Sequence, residues 1–370
     1  MKRIVLLFLL IPFVVSGQGK TPGEMIRQAT GLYMSAPASV AISVGVCING
    51  KIYTYHAGEL HKGMHDQPDD NTIYYIGSVT KTITGTLLAK AVLENKIRLD
   101  DDIRRYLDGD YPNLSYQGHG ITVAQLLNHR SGLPFLMPFD TVFKTNNNEK
   151  IGRYLTQLYQ HYTKADFFED LHHVKLDTLP GTRFGYSNTS AQLCGYILEK
   201  IYGMSYDQLL KKQLTADLGM TSTKIGLSSG EMKRIAPGYD ESGKLMPRMP
   251  DQMEGAGAVK STITDMLKYA RWHLDENHPA ARLSHEPTWQ SGNYWAGLNW
   301  QVIQSADKKR LIWQSGNVPG FISYCTLYPD DQMAIVVLTN EESHTAPAVI
   351  ENMINHLSAA LKPGVIELPR

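Results

Sequence analysis

Val40-Ala41-Ile42-Ser43-Val44-Gly45-Val46-Cys47-Ile48-Asn49-Gly50 sets the frame of the chain. Its large residues, Val40, Ile42, Val44, Val46 and Ile48, alternate with Ala41, Ser43, Gly45 and Cys47. A period of two predicts a strand with its large side chains on one face. Asn49-Gly50 is the strongest two-residue hairpin signal, because a type I′ turn needs positive φ at both positions. Lys51–His56 then returns as the partner strand, and Thr21–Tyr33 ahead of the hairpin reads as a short helix. The far end mirrors this. Trp295–Ile303, Arg310–Gln314, Phe321–Tyr328 and Met333–Leu338 read as four strands, separated by turns such as Pro329-Asp330-Asp331. Ala346–Leu361 has helical periodicity through Val349, Ile350, Met353, Ile354 and Leu357.

The middle of the chain is mostly helical, with long loops. Val79, Ile83, Leu87 and Ala91 recur every four residues, as do Leu193, Ile197 and Ile201, and each set fits one buried helix face. The expected fold is α+β: an antiparallel sheet built from both termini and flanked by helices, with a mostly helical region inserted. The sheet part covers about 30–62 and 290–362, and the helical part about 63–289. Clefts form where two such parts meet.

The chain has 370 residues, 42% apolar and 19% charged, which excludes wholesale disorder. Lys+Arg and Asp+Glu are both 36, so there is no general attraction for nucleic acid or anionic lipid. Three cysteines exclude a disulfide scaffold. Cys47, Cys194 and Cys325 lie in apolar surroundings without metal-ligand spacing and read as buried thiols, one disulfide among three pairings staying open. Lys2 and Arg3, the apolar run Ile4–Val15 and the small residues Ser16-Gly17 read as a secretory signal peptide over residues 1–17. The mature chain, 18–370, is then expected to be exported to the periplasm or medium, with no stable membrane insertion after cleavage.

Three strings carry candidate chemistry. In Ser78-Val79-Thr80-Lys81 the serine and lysine are three apart at the start of a helical pattern, hence on one face. A neutral lysine amine can take the serine proton and so activate a nucleophile. The helix N-terminus adds positive potential for an oxyanion. Gly85, one turn further, leaves room for another backbone. In Tyr186-Ser187-Asn188, after the turn Pro180-Gly181, Tyr186 can shuttle a proton beside a cation such as Lys81, and Asn188 can bind a substrate amide or fix the lysine. In Gln314-Ser315-Gly316-Asn317, at the end of a strand, Gly316 removes a side chain where substrate would lie. The Asn317 N–H pairs with the Ser78 N–H as a candidate oxyanion hole. Each string alone is unremarkable.

Together, in this order and spacing, they resemble the serine β-lactamase-like family, in the branch of class C β-lactamases, D-alanyl-D-alanine carboxypeptidases, D-aminopeptidases and related esterases. Leu126–Pro134, Pro180–Asn188, Leu218-Gly219-Met220 and Ser261-Thr262 with Asp265 resemble family segments too. The resemblance implies a β-lactamase/transpeptidase-like fold and an acyl-enzyme on Ser78. Lys81 and Tyr186 then share the proton work, and Asn188, Gln314, Ser315, Gly316 and Asn317 bind substrate. It implies no metal and no organic cofactor, and a small-molecule or peptide substrate: D-amino-acid or cell-wall-type peptides, or β-lactam-like compounds. A carboxylesterase or acyltransferase is the alternative, and a non-catalytic peptidoglycan- or β-lactam-binding protein lies outside enzymology. One residue departs from the pattern. Gln314 stands where the family usually has Lys or His, which removes a cation suited to a substrate carboxylate.

Other motifs are weaker. Gly226-Leu227-Ser228-Ser229-Gly230 matches a nucleophile elbow but follows a polar stretch instead of a buried strand. His161, His172 and His173 lack metal-ligand spacing. His129 is expected to make a structural hydrogen bond.

Overall fold

Strands β1 (Ala41–Ile48) and β2 (Lys51–Gly58) form the expected hairpin, with Asn49 and Gly50 at φ 49° and 78°. The computed structural model describes residues 20–138 and 148–369. The export signal read over residues 1–17 lies outside them. Two short pairs follow in the helical region, β3 (Tyr74–Tyr75) with β6 (Lys260–Ser261) and β4 (Ser115–Tyr116) with β5 (His119–Gly120). The C-terminal part supplies β7 (Trp289–Ser291), β8 (Tyr294–Ala296), β9 (Gln301–Gln304), β10 (Arg310–Val318), β11 (Phe321–Tyr328) and β12 (Met333–Thr339). The main sheet has eight strands in the order β2-β1-β12-β11-β10-β9-β8-β7. β1 pairs antiparallel with β12, Val44 opposite Val337, so the two ends of the chain close one sheet.

The alternation in β1 explains the layers. Ile42, Val44, Val46 and Ile48 pack with Ile26, Tyr33, Ile335, Met353 and Leu357, under the terminal helices Pro22–Met34 and Ala346–Leu361. Each such buried aliphatic side chain contributes about 1.5–3 kcal/mol. The small residues line the other face. A Cβ on Gly45 would stand 2.7 Å from a Leu267 methyl, so glycine admits the helix Ile263–Leu274 against the sheet. Cys47, Cys194 and Cys325 are buried and unpaired, as the apolar surroundings suggested.

Two strand expectations change. Trp295–Ile303 is not one strand: Gly297 N–H bonds the Trp300 carbonyl at 2.9 Å, and Asn299, at φ 62°, turns the chain between β8 and β9. Asparagine tolerates that left-handed backbone, so a polar residue in an apolar run marked a turn. β10 does not end at Gln314 but continues to Val318, paired with β11 throughout.

The helix Thr80–Leu93 is fixed to the sheet from behind. Thr86 Oγ1 meets His273 Nε2 at 3.1 Å, His273 Nδ1 meets His285 Nε2 at 3.1 Å, and His285 Nδ1 meets Glu276 Oε1 at 2.9 Å. Arg310 of β10 closes the chain on Glu276 through two bonds of 2.9 and 3.0 Å. Burial holds both imidazoles below their ordinary range. Gly85 does admit a backbone: its Cβ would lie 2.1 Å from the Leu298 carbonyl oxygen. Among the described residues, no helix is long and apolar enough to cross a membrane, and no cluster of His, Cys, Asp and Glu could hold a metal ion.

Candidate active site

Ser78 lies in a single 3-10 turn, Gly77–Val79, that leads into the helix Thr80–Leu93. One turn on, the Lys81 side chain is fully buried, and its Nζ lies 2.9 Å from Ser78 Oγ, 2.7 Å from Asn188 Oδ1 and 2.7 Å from the Ala256 carbonyl. Burial pushes its pKa below the ordinary lysine range, while neighbouring Tyr186 pulls it partly back. A neutral amine has two N–H donors and one lone pair. Two of its three partners are oxygens that can only accept, so they take both donors. With the amine in that neutral form, the lone pair would face the Ser78 hydroxyl, as a base requires.

Both acceptors are held from outside the site. Asn188 opens the helix Asn188–Tyr202, its N–H bonded to the Phe135 carbonyl at 2.8 Å, behind the N-cap Ser187. Ala256 belongs to a tight loop in which the N–H groups of residues 256, 257 and 258 all converge on the Met253 carbonyl, at 2.8–3.0 Å. Thr84 Oγ1 ties the same loop to the serine helix through the Gly255 carbonyl, at 2.7 Å.

Tyr186 is half-buried, with Lys81 Nζ 5.1 Å from its ring centre. The His129 ring lies under it, centre to centre 4.3 Å. His129 is at φ 58°, its Nδ1 accepts from the Ser187 N–H at 3.3 Å, and its carbonyl accepts from the Gly185 N–H at 2.8 Å. Burial lowers its pKa to about 3, so it stays neutral. The structural hydrogen bond expected of His129 is therefore present, and it fixes the loop that carries Tyr186.

β10 completes the site. β9 ends its pairing at Trp313, so residues 314–318 keep one open edge. Ser315 N–H points to that edge, where it bonds the Gln314 side-chain oxygen at 3.0 Å. N–H direction alternates along a strand, so the Asn317 N–H faces the same edge. There it meets the Ser78 turn: a Cβ on Gly77 would stand 2.9 Å from Asn317 N, and one on Gly316 would stand 2.9 Å from Ser78 N and 2.2 Å from the Ile76 carbonyl oxygen. Two glycines thus let two backbone N–H groups converge on one space. Gln314 is buried, with Nε2 donating to the Asn299 carbonyl at 2.9 Å, so its amide is largely engaged by backbone. Arg310 at the start of this strand and Lys309 just before it are turned to Glu276 and Asp331.

The structure thus gathers Ser78, Lys81, Tyr186, Asn188 and the 314–317 segment from three separated stretches. Two contributors carried no signal at sequence level. The Ala256 carbonyl is backbone and has no residue signature. Asn299 bridges the two halves, its Nδ2 on the Lys81 carbonyl at 3.1 Å and its own carbonyl on Gln314. The Gly226–Gly230 string lies in a turn with no strand before it, and His172 stacks on Tyr111.

A Beta-lactamase family model matches residues 26–360. A β-lactamase of Escherichia coli K12 is 27% identical over 350 residues, covering 84% of this chain and 86% of that protein. A Pseudomonas fluorescens β-lactamase is 25% identical over 352 residues, 83% and 90% of the two chains. Among solved structures, a Yersinia pestis β-lactamase/D-alanine carboxypeptidase complexed with citrate superposes with TM-score 0.77 at 21% identity, over 92% of this chain and 99% of that one.

Proposed function

Because this chain belongs to the Beta-lactamase family and is a serine hydrolase of that fold, we propose that Ser78 is its nucleophile and that it works through an acyl-enzyme. In this reading Ser78 Oγ attacks the substrate carbonyl carbon as its proton passes to Lys81 Nζ. The carbonyl oxygen, now negative, takes hydrogen bonds from the Ser78 and Asn317 N–H groups. Collapse of the tetrahedral adduct breaks the bond to the leaving group, which leaves with a proton relayed from Lys81 by Tyr186. Water then attacks the acyl carbon as its proton passes along the same path to Lys81, and collapse of this second adduct breaks the Ser78 Oγ–carbon bond, returns the proton to Oγ and releases the acid. The single observation that carries the reading is the three-partner arrangement at Lys81 Nζ, with Ser78 Oγ at 2.9 Å beside two oxygens that can only accept.

Substrates are amides or esters, with D-amino-acid or cell-wall-type peptides and β-lactam-like compounds first. Carboxylesterase or acyl-transfer chemistry is favoured by one observation: Gln314 is neutral and tied to backbone, so this position offers a substrate carboxylate no charge. Gln314→Lys is expected to raise kcat/KM for carboxylate-bearing substrates relative to neutral esters by more than about twofold, since charge-assisted bonds are roughly twice as strong as neutral ones. A smaller change in that ratio would remove this position from substrate selection. Export is part of the proposal and rests on Lys2, Arg3 and the Ile4–Val15 run.

The test is intact-protein mass measurement of the mature chain after exposure to a penicillin or to an activated acyl ester. Wild type is expected to gain an acyl mass or to turn the ester over, and Ser78→Ala to do neither. If wild type shows neither adduct nor turnover with both donors, the chain is a binding protein on a hydrolase fold.

A further inference from the structure

Behind the serine helix runs a line of polar side chains sealed from water. His285 Nδ1 faces Glu276 Oε1 at 2.9 Å, His285 Nε2 faces His273 Nδ1 at 3.1 Å, and His273 Nε2 faces Thr86 Oγ1 at 3.1 Å. Tyr269 OH lies 3.0 Å from Thr86 Oγ1 and donates to Thr82 Oγ1 at 3.1 Å. Thr82 Oγ1 in turn donates to the Val79 carbonyl at 2.8 Å, so the line ends one residue from Ser78. Thr82, Thr86, Tyr269 and His273 are fully buried and His285 nearly so, and the Trp300 ring packs against both imidazoles. The acyl-enzyme chemistry uses none of these groups.

The placing of the protons follows from the donors and acceptors. The two rings offer three positions: an outer one against Glu276, a middle one between the rings and an inner one against Thr86. Two neutral imidazoles fill two of them. Arg310 holds both oxygens of Glu276, which keeps it a carboxylate. An empty outer position would set a lone pair against that carboxylate, and an empty middle one would set two lone pairs against each other. The inner position is therefore the empty one. Each ring carries its proton on Nδ1, and Thr86 turns its hydroxyl hydrogen to His273 Nε2.

We propose that this line is a proton-operated hold on the serine turn, with His273 and His285 as positioning residues. The inference rests on the acyl-enzyme reading above and adds a pH response to it. One proton taken from water fills the inner position, so His273 Nε2 becomes a donor and the pair carries one positive charge. Thr86 Oγ1 then accepts from His273 and turns its own hydrogen to the Thr82 carbonyl, 2.9 Å away. That carbonyl already takes a backbone N–H within the helix, and a threonine bonded back four residues bends a helix. The bend falls in the turn that follows Lys81. The neutral line holds the serine turn straight, and the protonated line slackens it.

Charge around the pair sets where this happens. Burial opposes the charged form, so the proton enters below the ordinary histidine range. Glu276 favours the charge on His285 and Arg310 of β10 opposes it. His278, before the helix Pro279–His285, opposes it on His273 and is itself paired with Asp275. Asp330 stands behind Arg310, and the Cys325 thiol of β11 lies near Tyr269.

The experiment follows the ring nitrogens by NMR in the mature chain labelled with 15N-histidine, for wild type, Thr86→Ser and Thr86→Val. The pair is identified by the N–H···N coupling between its rings. In wild type at about pH 8, above the histidine range, both Nε2 atoms are expected bare. As pH falls, a third proton appears on His273 Nε2 while the fold persists. Thr86→Ser keeps the hydroxyl and titrates alike. Thr86→Val gives the third proton no acceptor, so uptake moves to lower pH. An N–H on Nε2 of either ring at the start, or no third proton before the fold is lost, overturns the inference. In parallel, kcat/KM for an activated acyl ester is measured over the same span. Ionisation of Lys81 is common to the three proteins and cancels in their ratios. As pH falls, Thr86→Val is expected to gain on wild type by at least about threefold, the worth of one hydrogen bond, and Thr86→Ser to stay level. A merely structural threonine lowers the melting temperature of Thr86→Val but leaves its ratio to wild type flat, and that result overturns the hold. Absence of Ser78-dependent turnover overturns the acyl-enzyme reading, and the ring protons then decide this inference by themselves.

Discussion

Lys81→Met lowers kcat/KM for every acyl donor by at least about a thousandfold and leaves the protein folded. General base catalysis contributes roughly 10²–10⁴ in rate, and in the proposed mechanism the base also sets the direction of the proton transfer. Methionine fills a similar volume without the amine. It leaves Asn188 Oδ1 and the Ala256 carbonyl without their 2.7 Å partner, at about 1–3 kcal/mol each. It also removes the desolvation of a fully buried amine, which acts in the opposite direction. The melting temperature therefore moves far less than the activity. Lys81→Arg separates base from charge. Arginine supplies a permanent cation and donors but cannot lose a proton, so it is expected to be as inactive as methionine. An arginine variant within tenfold of wild type would show that position 81 acts as a fixed charge. The wild-type pH profile gives the matching sign. The base must be neutral, so kcat/KM rises with pH through an apparent pKa below the ordinary lysine value, in the direction burial sets.

Lys81 also shows why part of the site was readable in sequence. A spacing of three in a helix fixes which side chains share a face, so Ser78 and Lys81 could be paired without coordinates. Likewise, the strict alternation of Val40–Ile48 was readable because one face of β1 is packed on the terminal helices and the other needs small residues. The antiparallel sheet built from both termini followed from these local periods. What local periods cannot carry is the meeting of distant segments. Tyr186, Asn188 and the 314–317 strand came together only through the order of their motifs. The Ala256 carbonyl was invisible, since any residue supplies a carbonyl and only the loop hydrogen bonds to Met253 aim this one. Gly316 misled for a physical reason. It was expected to clear room for substrate along the strand, whereas the side chain it lacks would meet the Ile76 carbonyl and Ser78 N of the serine turn.

That contact makes Gly316→Ala the second large expected effect. The new Cβ would stand 2.2 Å from the Ile76 carbonyl oxygen, 2.5 Å from Ser323 Oγ and 2.9 Å from Ser78 N. Ser323 Oγ cannot swing away freely, because it donates to the same Ile76 carbonyl at 2.7 Å. The other two atoms are backbone of the serine turn, itself locked by the buried helix behind it. Either β10 or the turn must therefore retreat, and each carries one of the two proposed oxyanion donors. Displacing a single such donor costs about 10²–10³ in kcat. A fall of that size is expected in the acylation rate, read as the burst of p-nitrophenol in single-turnover mixing. The overpacking itself costs roughly 1–3 kcal/mol, so a lower melting temperature accompanies it. Asn317→Ala is the control that isolates the backbone. It removes an exposed side chain but keeps the N–H, and its acylation rate is expected within about tenfold of wild type. If Gly316→Ala instead acylates at a third of the wild-type rate or better, the strand is free to shift without penalty. The convergence of the Ser78 and Asn317 N–H groups would then have no part in stabilising the oxyanion. If Asn317→Ala is the slower of the two, the stabilising group is the asparagine side chain, and the open edge of β10 serves to present it.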